Sequence, residues 1–441
     1  NVTPPAAGKL MMWNSVELDP LQKGKAYFVG TKYKLDDFKP YIFLTEDYGK
    51  SWKLITKGID SKHFARVLRV DPKRKGLLYC GTEYGFYMSY DDGANWKKVQ
   101  LNLPQTPITD MCVKDNALVI ATQGRSIWVM DDLAPLQSFN VNQLNDKMYM
   151  YPISNTLLID GWQNKSPKNA GMNPPNGVII PFHLINFNDT GNVEIIIRDS
   201  AKKLITAYSS KSSDEKFKLS AKEGMNLFTW DMNYQSIEPI AGMILWNGTI
   251  DGPTAAPGNY TATLKINGDS LEKPFLISAN PKYNCSNEDY ALKTAFLLEV
   301  KKSFADVQKC IVDIRTLRSQ INEFNSLAGK DVPKEIKSLS DTIQKKLTKI
   351  EEELYQTKLK SGQDILNYPM KLNDRISGLY NYASSGNTAP NKQVKDAFLE
   401  LKTLADEQLK LFQSVIEKDV VELNMKIKSS DLPVIGIVKN K

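Results

Sequence analysis

Two turns of matching composition hold the first candidates for chemistry in this sequence of 441 residues. Each turn carries a hydroxyl residue, an aspartate, a glycine and a tryptophan in the same order: Thr45, Asp47, Gly49, Trp52 and Ser89, Asp91, Gly93, Trp96. In a tight turn the aspartate accepts hydrogen bonds from main-chain N–H groups, the glycine supplies a positive φ, and the tryptophan pins the returning strand. The motif therefore predicts a structural turn rather than a catalytic one.

Hydrolysis of a sugar bond would need two positioned carboxylates, or a tyrosine nucleophile with an arginine cluster that binds the substrate carboxylate. Asp36 and Asp37, in the loop before the first turn, are the best-placed carboxylates. A turn that hydrogen-bonds its own backbone explains both. Arg66, Arg69 and Arg125 are too few, and too deep in strand-like sequence, to form an anion clamp. No catalytic residue is predicted.

Patterns for metals and cofactors are equally sparse in the sequence. The pairs Asp91-Asp92 and Asp131-Asp132 could be read as metal ligands, but the turn motif explains the first and a degenerate copy of it explains the second. The chain has two histidines, His63 and His183, which leaves a zinc site or a Ser-His-Asp triad almost nothing to draw on. We predict no metal and no cofactor, and the ligand-binding residues stay unknown.

The elements that must position the turns repeat along residues 1–135. Trp96 follows Trp52 by 44 residues, and strand-like runs flank both turns. A period of about 40–45 residues with several short strands is typical of a β-propeller blade. A third unit ends at Asp131-Asp132 without the glycine and tryptophan of the motif. Residues 1–135 are therefore predicted to be the last blades of an Asp-box β-propeller, the third blade being degenerate.

Three blades are too few for a closed propeller, since about four is the smallest number known. An open stack would expose strand edges and an apolar blade face. We therefore expect an upstream propeller segment, or a partner chain, to complete the ring. The chain begins at Asn1 without a methionine or a signal-peptide pattern, which indicates a cleaved, truncated or partial product.

Residues 136–175 read as a linker, because they lack periodicity and are rich in asparagine, proline and glycine, including Asn164, Lys165, Pro167 and Asn169. Residues 176–285 hold short alternating strands with Gly/Pro/Asp turns, which predicts a β-sandwich of immunoglobulin-like type. From 286 to 428, apolar residues recur at spacings of three and four, which predicts an antiparallel α-helical bundle. Residues 429–441 form a C-terminal tail. The predicted fold class is thus multidomain.

Composition narrows the possible partners. The formal net charge of +7 arises from 57 basic and 50 acidic residues, and no dense basic stripe with interleaved aromatics argues for nucleic acid. No apolar run reaches the length of about 18 residues that spans a bilayer. The four cysteines, Cys80, Cys112, Cys285 and Cys310, lack metal-type spacing and read as free buried thiols, although pairing of Cys285 with Cys310 stays open.

The pattern Ser/Thr-x-Asp-x-Gly-x-x-Trp resembles the Asp-box (BNR) repeat of sialidase-type and sortilin-like propellers. The order of parts resembles a bacterial family of large exported sortilin-like BNR-repeat proteins, often labelled glycosyl hydrolase-like. Segments that carry the resemblance include residues 34–41, 69–72, 77–85, 124–132 and 369–373. The resemblance implies that the box residues are structural, that a longer propeller lies upstream, and that the protein is exported to the periplasm or cell surface of a bacterium. The cysteine-rich modules of true sortilins have no counterpart here.

A weak export signal accompanies the resemblance. An aspartate followed by Ser or Thr and an aliphatic residue or alanine, an O-glycosylation acceptor pattern of some periplasmic systems, occurs at Ser200, Ser270 and Thr342. The leading hypothesis is a non-catalytic exported binding or scaffold protein that contacts a protein or glycan. One alternative is a glycoside hydrolase with its catalytic residues in upstream blades. Another is a subunit of a larger, outer-membrane-associated cell-envelope complex.

Overall fold

The computed structural model describes residues 2–142, 146–159, 170–187, 191–328 and 332–430. Asn164, Lys165, Pro167 and Asn169 of the predicted linker, and residues 431–441 of the predicted tail, lie outside this range. Within it, the first half of the chain is built from β-sheets and the last third from helices. No helix in these ranges is both long enough and apolar enough to cross a bilayer.

Three antiparallel sheets follow one another along the chain. Sheet 1 is β1 (Met12–Leu18), β2 (Ala26–Lys32), β3 (Asp37–Thr45) and β4 (Lys53–Leu54). Sheet 2 is β5 (Ala65–Val70), β6 (Leu78–Thr82), β7 (Gly85–Ser89) and β8 (Lys97–Lys98). Sheet 3 is β9 (Ile108–Lys114), β10 (Ala117–Thr122) and β11 (Ile127–Met130). In each sheet, strands that are neighbours in sequence are neighbours in space, as in a propeller blade.

The three sheets stack face to face, with one layer of apolar side chains at each junction. Tyr27 and Ile42 of sheet 1 share a core with Leu68 and Cys80 of sheet 2. The other side of sheet 2 shares a second core with sheet 3, which includes Tyr79, Phe86, Met111 and Ile120. Alternate residues of each sheet 2 strand therefore enter different cores, which is the burial pattern of a central blade. The region is propeller-like, as the repeat predicted.

After sheet 3 a short helix, α1 (Ala134–Ser138), takes the place that a fourth strand has in sheets 1 and 2. Two short strands then follow inside the predicted linker, β12 (Met148–Met150) and β13 (Thr156–Leu158). Both pair with strands of the next region, so at least this part of residues 136–175 is built into the sheets. Three-residue strands carry too little alternation to be recognised in the sequence.

Two further sheets enclose one core between them. The strands of this region are β14 (Val178–Leu184), β15 (Val193–Asp199), β16 (Leu204–Ser209), β17 (Gly224–Trp230), β18 (Gly258–Ile266) and β19 (Asp269–Ala279). Sheet 4 has the order β12-β14-β17, and sheet 5 has the order β13-β19-β18-β15-β16. Trp230 is the largest fully buried side chain, and it packs edge-on against Tyr260 and Phe275 of the opposite sheet.

The helical region shares a single large core. Its elements are α2 (Asn287–Ala328), α3 (Lys334–Leu354), α4 (Leu372–Ser384), α5 (Lys392–Ser414) and α6 (Val421–Ser429). Most apolar residues at spacings of three and four are buried, among them Phe304, Ile343 and Phe398, and Leu339 is half-buried. A π-helical segment, Val415–Val420, joins α5 to α6.

A long loop between β17 and β18 fixes the sheets to the helices. Ile237 and Leu245 of this loop pack on the helical core. The buried carboxylate of Asp374, in the first turn of α4, accepts hydrogen bonds from the main-chain N–H groups of Trp246, Asn247 and Gly248 at 2.9, 3.2 and 3.0 Å. Because an anion at a helix N-terminus is stabilised by the helix dipole, Asp374 serves the helix and the loop together.

Candidate functional site

The first turn motif closes the hairpin between β3 and β4. The Thr45 hydroxyl donates to Asp47 Oδ1 at 2.9 Å and accepts from the Gly49 N–H at 2.9 Å. Asp47 also accepts from the Ser51 N–H at 2.8 Å and from the Ser51 hydroxyl at 2.6 Å. These contacts lie within one turn, and both carboxylate oxygens of Asp47 are occupied by them. The hydroxyl and carboxylate therefore organise backbone.

The second motif repeats this geometry between β7 and β8. The Ser89 hydroxyl donates to Asp91 Oδ1 at 2.8 Å and accepts from the Gly93 N–H at 2.9 Å. Asn95 takes the place of Ser51, and its N–H and side-chain amide donate to Asp91 at 2.8 Å each. The two turns thus hold their aspartates by equivalent bonds.

The hydrogen bonds keep both aspartates ionised. Donation by the Ser51 hydroxyl and N–H lowers the pKa of Asp47 to about 2. Partial burial acts to raise the pKa of Asp91, but hydrogen bonds from Asn95 and Ser89 outweigh it and the pKa is lowered. A general acid needs a raised pKa, so neither carboxyl suits that role.

The two motif tryptophans differ in their surroundings. Trp96 is buried, and its Nε1–H donates to the carbonyl of Ile55, just beyond β4 of sheet 1, at 2.8 Å. Its main-chain N–H donates to Lys57 O of the same segment at 2.9 Å. Trp52 is half-buried, and its Nε1 is shielded from solvent yet has no hydrogen-bond partner among the described residues. The second motif is thus bonded to a preceding sheet, whereas no sheet precedes that of the first motif among residues 2–142.

The other carboxylates considered from the sequence serve their own turns. Asp37 accepts from the Tyr41 hydroxyl at 2.6 Å and from the Lys39 N–H at 3.2 Å, and the Tyr41 bond is the largest cause of its lowered pKa. Asp36 adopts a left-handed conformation, φ 58°, at the end of a single 3₁₀ turn. The structure brings neither into a catalytic arrangement.

The three candidate arginines are dispersed rather than clustered. Arg66 forms an ion pair with Glu83 within sheet 2. Arg69 lies on β5 and reaches both neighbouring inner strands, contacting Glu17 on β1 at 3.5 Å and Asp110 on β9 at 2.6 Å. Arg125 is exposed at the hairpin before β11. Arg69 thus connects the first strands of the three sheets, β1, β5 and β9.

Asp132 is similarly engaged, since its Oδ1 accepts from Asn116 at 2.8 Å, from the Ala134 N–H at 2.9 Å and from Ser154 at 3.0 Å. Asp131 and Asp132 line one open cleft. The pKa of Asp131 is raised by partial burial and, to a smaller extent, by the charge of Asp132. Across the described ranges no group of three or more His, Cys, Asp or Glu side chains could hold a metal ion.

The histidines and cysteines are scattered. His63 Nδ1 lies 2.8 Å from the Tyr87 hydroxyl, and buried His183 lies 3.1 Å from that of Tyr151. Cys80 and Cys310 are buried, Cys285 is half-buried and Cys112 is exposed, and all four are free thiols. The prediction of burial is therefore wrong for Cys112, because β9 turns that side chain toward the uncovered side of sheet 3.

The sequence predicts an exposed apolar blade face without placing it, and the structure shows one on the uncovered side of sheet 1. A row of facing residues crosses all four strands, Val16, Phe28, Phe43 and Leu54. Val16 and Leu54 in this row are exposed, whereas Phe43 is buried and packs against Trp13. Leu18 and Trp52 extend it, and Trp52 packs on Phe28 with ring centroids 4.7 Å apart. We call these six side chains the open face of sheet 1. An open cleft of about 590 Å³ runs along part of it, lined by Val16, Leu18, Phe28 and Trp52.

Register shows what the open face corresponds to in sheet 2. The equivalent row there is Leu68, Cys80 and Tyr87, and all three are buried under sheet 1. Leu68 is fully buried, whereas Val16 at the matching position is 56% exposed and Leu18 is 71% exposed. The open face of sheet 1 is therefore a blade-to-blade junction with one side uncovered.

The stack also ends on an apolar face at its other end. On sheet 3, Cys112, Val119 and Val129 face one another across the three strands. Val129 is 52% exposed and Ile127 is 66% exposed. In sheet 2 the matching side is covered by sheet 3. Sheet 3, however, presents smaller side chains and has no fourth strand in the part of the chain described.

Comparison with known proteins gives no family. No family model matches the chain, and no curated protein does. Among solved structures, the chain is similar to a GH74 enzyme of Niastella koreensis, with 17% identity, a TM-score of 0.23, and coverage of 39% of this chain and 28% of that one. It is also similar to YCF48 bound to D1 peptide, with 12% identity, a TM-score of 0.22, and coverage of 60% and 67%.

A third similar structure is the GH74 xyloglucanase of Xanthomonas campestris, with 11% identity, a TM-score of 0.19, and coverage of 64% of this chain and 40% of that one. The chain thus spans less than half the length of the two GH74 enzymes. These overall likenesses are too low to carry an argument about activity. The account of function below depends on the sheets and side chains of this chain.

Proposed function

We propose that this chain is a non-catalytic binding or scaffold protein, and that the open face of sheet 1 is its principal contact surface. The observation that carries the proposal is the contrast between matching rows: Leu68 in sheet 2 is fully buried, whereas Val16 and Leu18 in sheet 1 are largely exposed. Burying apolar surface contributes about 25 cal/mol per Å², so an uncovered row of this size favours a partner. Its apolar character favours a protein over a glycan.

The finer assignments are part of this proposal. The hydrogen bonds around Asp47 and Asp91 support an Asp-box of the BNR type. The two sheets around Trp230, with β13 running parallel to the last strand β19, support an immunoglobulin-like sandwich. Export to a bacterial periplasm or cell surface stays part of the proposal, and the three acceptor residues Ser200, Ser270 and Thr342 are exposed as glycosylation would require, although the Thr342 hydroxyl donates to Ser338 O at 2.9 Å.

Hydroxyl-radical footprinting tests the contact surface. The isolated chain and the same chain in native material from its source would be oxidised in parallel, and Val16, Leu18 and Leu399 quantified by mass spectrometry. Protection of Val16 and Leu18 in the native material is expected. Leu399 on α5 is 65% exposed and serves as the matched control, which should be oxidised equally in both samples.

Equal oxidation of Val16 and Leu18 in both samples would contradict a contact surface there. The native material would also be assayed for hydrolysis of a polysaccharide panel. Turnover that is lost when a carboxylate of the associated polypeptide is substituted would support the glycoside hydrolase hypothesis over this one.

A further inference from the structure

The junction between sheets 1 and 2 shows what kind of layer fits the open face of sheet 1, because sheet 2 presents the equivalent face to sheet 1. There the covering layer is a four-stranded antiparallel sheet, and the segment after its fourth strand holds the incoming motif. Ile55 packs against Gly93 of that motif, and the Ile55 carbonyl accepts from Trp96 Nε1 at 2.8 Å. Sheet 1 fixes Ile55 in turn, through a bond of 2.9 Å from its N–H to Ile42 O.

Half of this arrangement is already present at the open face. Val2 packs against Gly49 of the first motif as Ile55 packs against Gly93. Ile55 precedes the first residue of β5 by ten positions, and Val2 precedes the first residue of β1 by the same number. Val2 belongs to no strand among the described residues, so nothing there fixes its main chain as sheet 1 fixes that of Ile55. The Trp52 Nε1, equivalent to that of Trp96, is buried and has no hydrogen-bond partner in the part of the chain that the structure describes.

We propose that the open face of sheet 1 binds a complete four-stranded antiparallel β-sheet, a further propeller blade contributed by polypeptide outside residues 1–441. The incoming sheet holds Val2 in the position that Ile55 has at the next junction. A main-chain carbonyl there accepts the hydrogen bond from Trp52 Nε1. This inference depends on the proposed function and specifies the partner of the same surface.

A second copy of this chain is a poorer occupant. If a second copy continued the stack in the same direction, its sheet 3 would cover the open face of sheet 1. Sheet 3 has three strands in its described residues and continues directly into α1. It therefore lacks the fourth strand that leads to the Ile55 position. Its side chains Cys112, Val119 and Val129 are also smaller than Tyr27, Ile42 and Leu44, which cover sheet 2.

The structure also specifies one side chain of the partner. At the junction of sheets 1 and 2, the buried Lys25 ammonium lies 2.7 Å from Asp92, and the Tyr27 hydroxyl donates to Asp92 at 3.1 Å. Tyr48 takes the position of Asp92 in the first motif, since both have a left-handed backbone and bond to the equivalent carbonyls, of Gly24 and Gly76. A partner lysine at the Lys25 position would lose this counter-ion. Asp19 at 4.0 Å and Glu46 at 3.6 Å are further acidic partners of Lys25 within its own sheet, so the loss of Asp92 weakens the pairing of such a lysine without removing it. An uncharged residue is therefore expected to suit the incoming sheet better than a lysine.

The experiment supplies such a sheet from the chain itself. A copy of residues 9–54 is fused ahead of Val2 of the full chain in place of Asn1, so that Val2 follows the copied Leu54 as Ile55 follows Leu54. The first fused chain carries Lys25→Met in the copy, and the second keeps the lysine. Oxidation of Val16 and Leu18 in the original sheet 1 is then compared between the fused and unfused chains by hydroxyl-radical footprinting. Because residues 9–54 occur twice in a fused chain, the original copy is identified by peptides that also contain residues outside this range.

Docking of the copy is expected to lower oxidation of Val16 and Leu18 at least several-fold, more in the Lys25→Met fusion than in the unaltered one. Trp52→Phe tests the hydrogen bond, because it keeps an aromatic ring and removes the N–H. In the unfused chain this substitution removes no hydrogen bond among the described residues, so it should change the unfolding equilibrium constant only through the smaller ring that packs on Phe28. In the fused chain, substitution of the original Trp52 should raise the constant by up to about tenfold more than in the unfused chain, because a hydrogen bond to the incoming carbonyl is then lost as well.

Three results would overturn the inference: no protection in either fused chain, an equal effect of Trp52→Phe in fused and unfused chains, or protection of the face by dimerisation of the unfused chain. The first of these, together with protection in native material, would leave the proposed function standing and reject only the blade as partner. No protection of Val16 and Leu18 in the fused chains or in the native material would reject both the blade as partner and the proposed function.

Discussion

Asp47 and Asp91 occupy the same position in two turns, and their bonding partners are equivalent, yet the tryptophans five residues later are not. Trp96 finds a carbonyl on the preceding sheet, and Trp52 does not find one among the described residues. The sequence predicts the turn bonds because they are local. It cannot predict the difference between the tryptophans, since that depends on whether another sheet lies against the motif.

Acid should remove the contribution of the first turn in a defined pH window. The pKa of Asp47 is lowered to about 2 in the folded chain, and an unfolded aspartate has a pKa of about 3.9. Between these values the unfolded state binds more protons, so the stabilisation by Asp47 is present above about pH 4 and is lost as the pH falls to about 2. Urea unfolding from pH 2 to 6 should show Asp47→Asn destabilising above about pH 4 and converging with the wild type near about pH 2.

Asp115→Asn is the control for this titration, because Asp115 is largely exposed in a turn and asparagine tolerates its positive φ. Its unfolding curves should follow those of the wild type across the range. A difference between Asp47→Asn and the wild type that stays constant down to pH 2 would contradict the assignment of the bonds to the ionised carboxylate.

Two glycines with positive φ should differ sharply in their tolerance of alanine. A Cβ on Gly58 would lie 2.2 Å from the carbonyl oxygen of Trp96, at the junction of sheets 1 and 2. A Cβ on Gly124 would meet nothing within 4 Å. Gly124→Ala should cost about 1–2 kcal/mol for its left-handed backbone alone, and Gly58→Ala more than about 3 kcal/mol because the junction must open. Equal losses in urea unfolding would show that the Gly58 contact is not a constraint.

At the scale of elements, regular apolar spacing predicted the longer elements and failed for the short or irregular ones. The facing positions of α3, including Ile336, Ile343 and Leu347, are buried as a period near 3.6 requires. The helical path continues beyond α5, because the π-helical segment Val415–Val420 shifts the register by one residue and returns Val420 and Leu423 to the core. Spacing alone does not predict such a shift.

The β16 strand and the pairing of β12 and β13 were also missed. The sequence of β16, Leu204–Ser209, is short and only weakly alternating, and β16 is an edge strand of sheet 5 that pairs with β15. For the open face of sheet 1, the blade count predicts an uncovered apolar face, but the strand pattern does not show which sheet carries it. Val16 and Leu18 alternate with polar residues as a buried strand face does, so the sequence predicts a covered row whether or not the cover is present.

The Asp374 clamp should decide whether the β17–β18 loop stays on the helices. Asp374→Ala leaves three main-chain N–H groups, of Trp246, Asn247 and Gly248, without their acceptor. We expect a loss of about 2–3 kcal/mol in the free energy of unfolding, since hydrogen bonds to a charged group contribute about 1.5–3 kcal/mol each and are not additive. Hydrogen exchange at these three amides should accelerate at the same time.

Asp406→Ala is the matched control, because Asp406 pairs with Lys402 on a partly exposed face of α5. A surface pair of this kind contributes about 0–1 kcal/mol, so little change is expected. Unchanged exchange at residues 246–248 in Asp374→Ala would show that packing of Ile237 and Leu245, rather than the carboxylate, holds the loop.

At the scale of the whole molecule, the described chain has four cores that are unequal in closure. The core between sheets 4 and 5 and the helical core are joined by the clamped loop. The two cores of the stack are each closed between neighbouring sheets, but the stack has an apolar outer face at both ends. Under the proposed function the contact surface lies at one end of the stack, and a change there should affect association without affecting folding.

Charging the open face should show this separation. Val16→Lys with Leu18→Lys places two ammonium groups where the side chains are already 56% and 71% exposed, so no buried charge is created. The free energy of unfolding should change by less than about 1 kcal/mol. Binding of bis-ANS, which reports exposed apolar surface, should fall clearly, and the concentration at which the isolated chain self-associates should rise.

Leu399→Lys, at a position on α5 that is 65% exposed, should leave bis-ANS binding nearly unchanged. Equal effects of the two changes would mean that the open face is no more adhesive than any other exposed apolar residue, and a large loss of stability in the double variant would mean that Val16 and Leu18 already belong to the folding core of sheet 1.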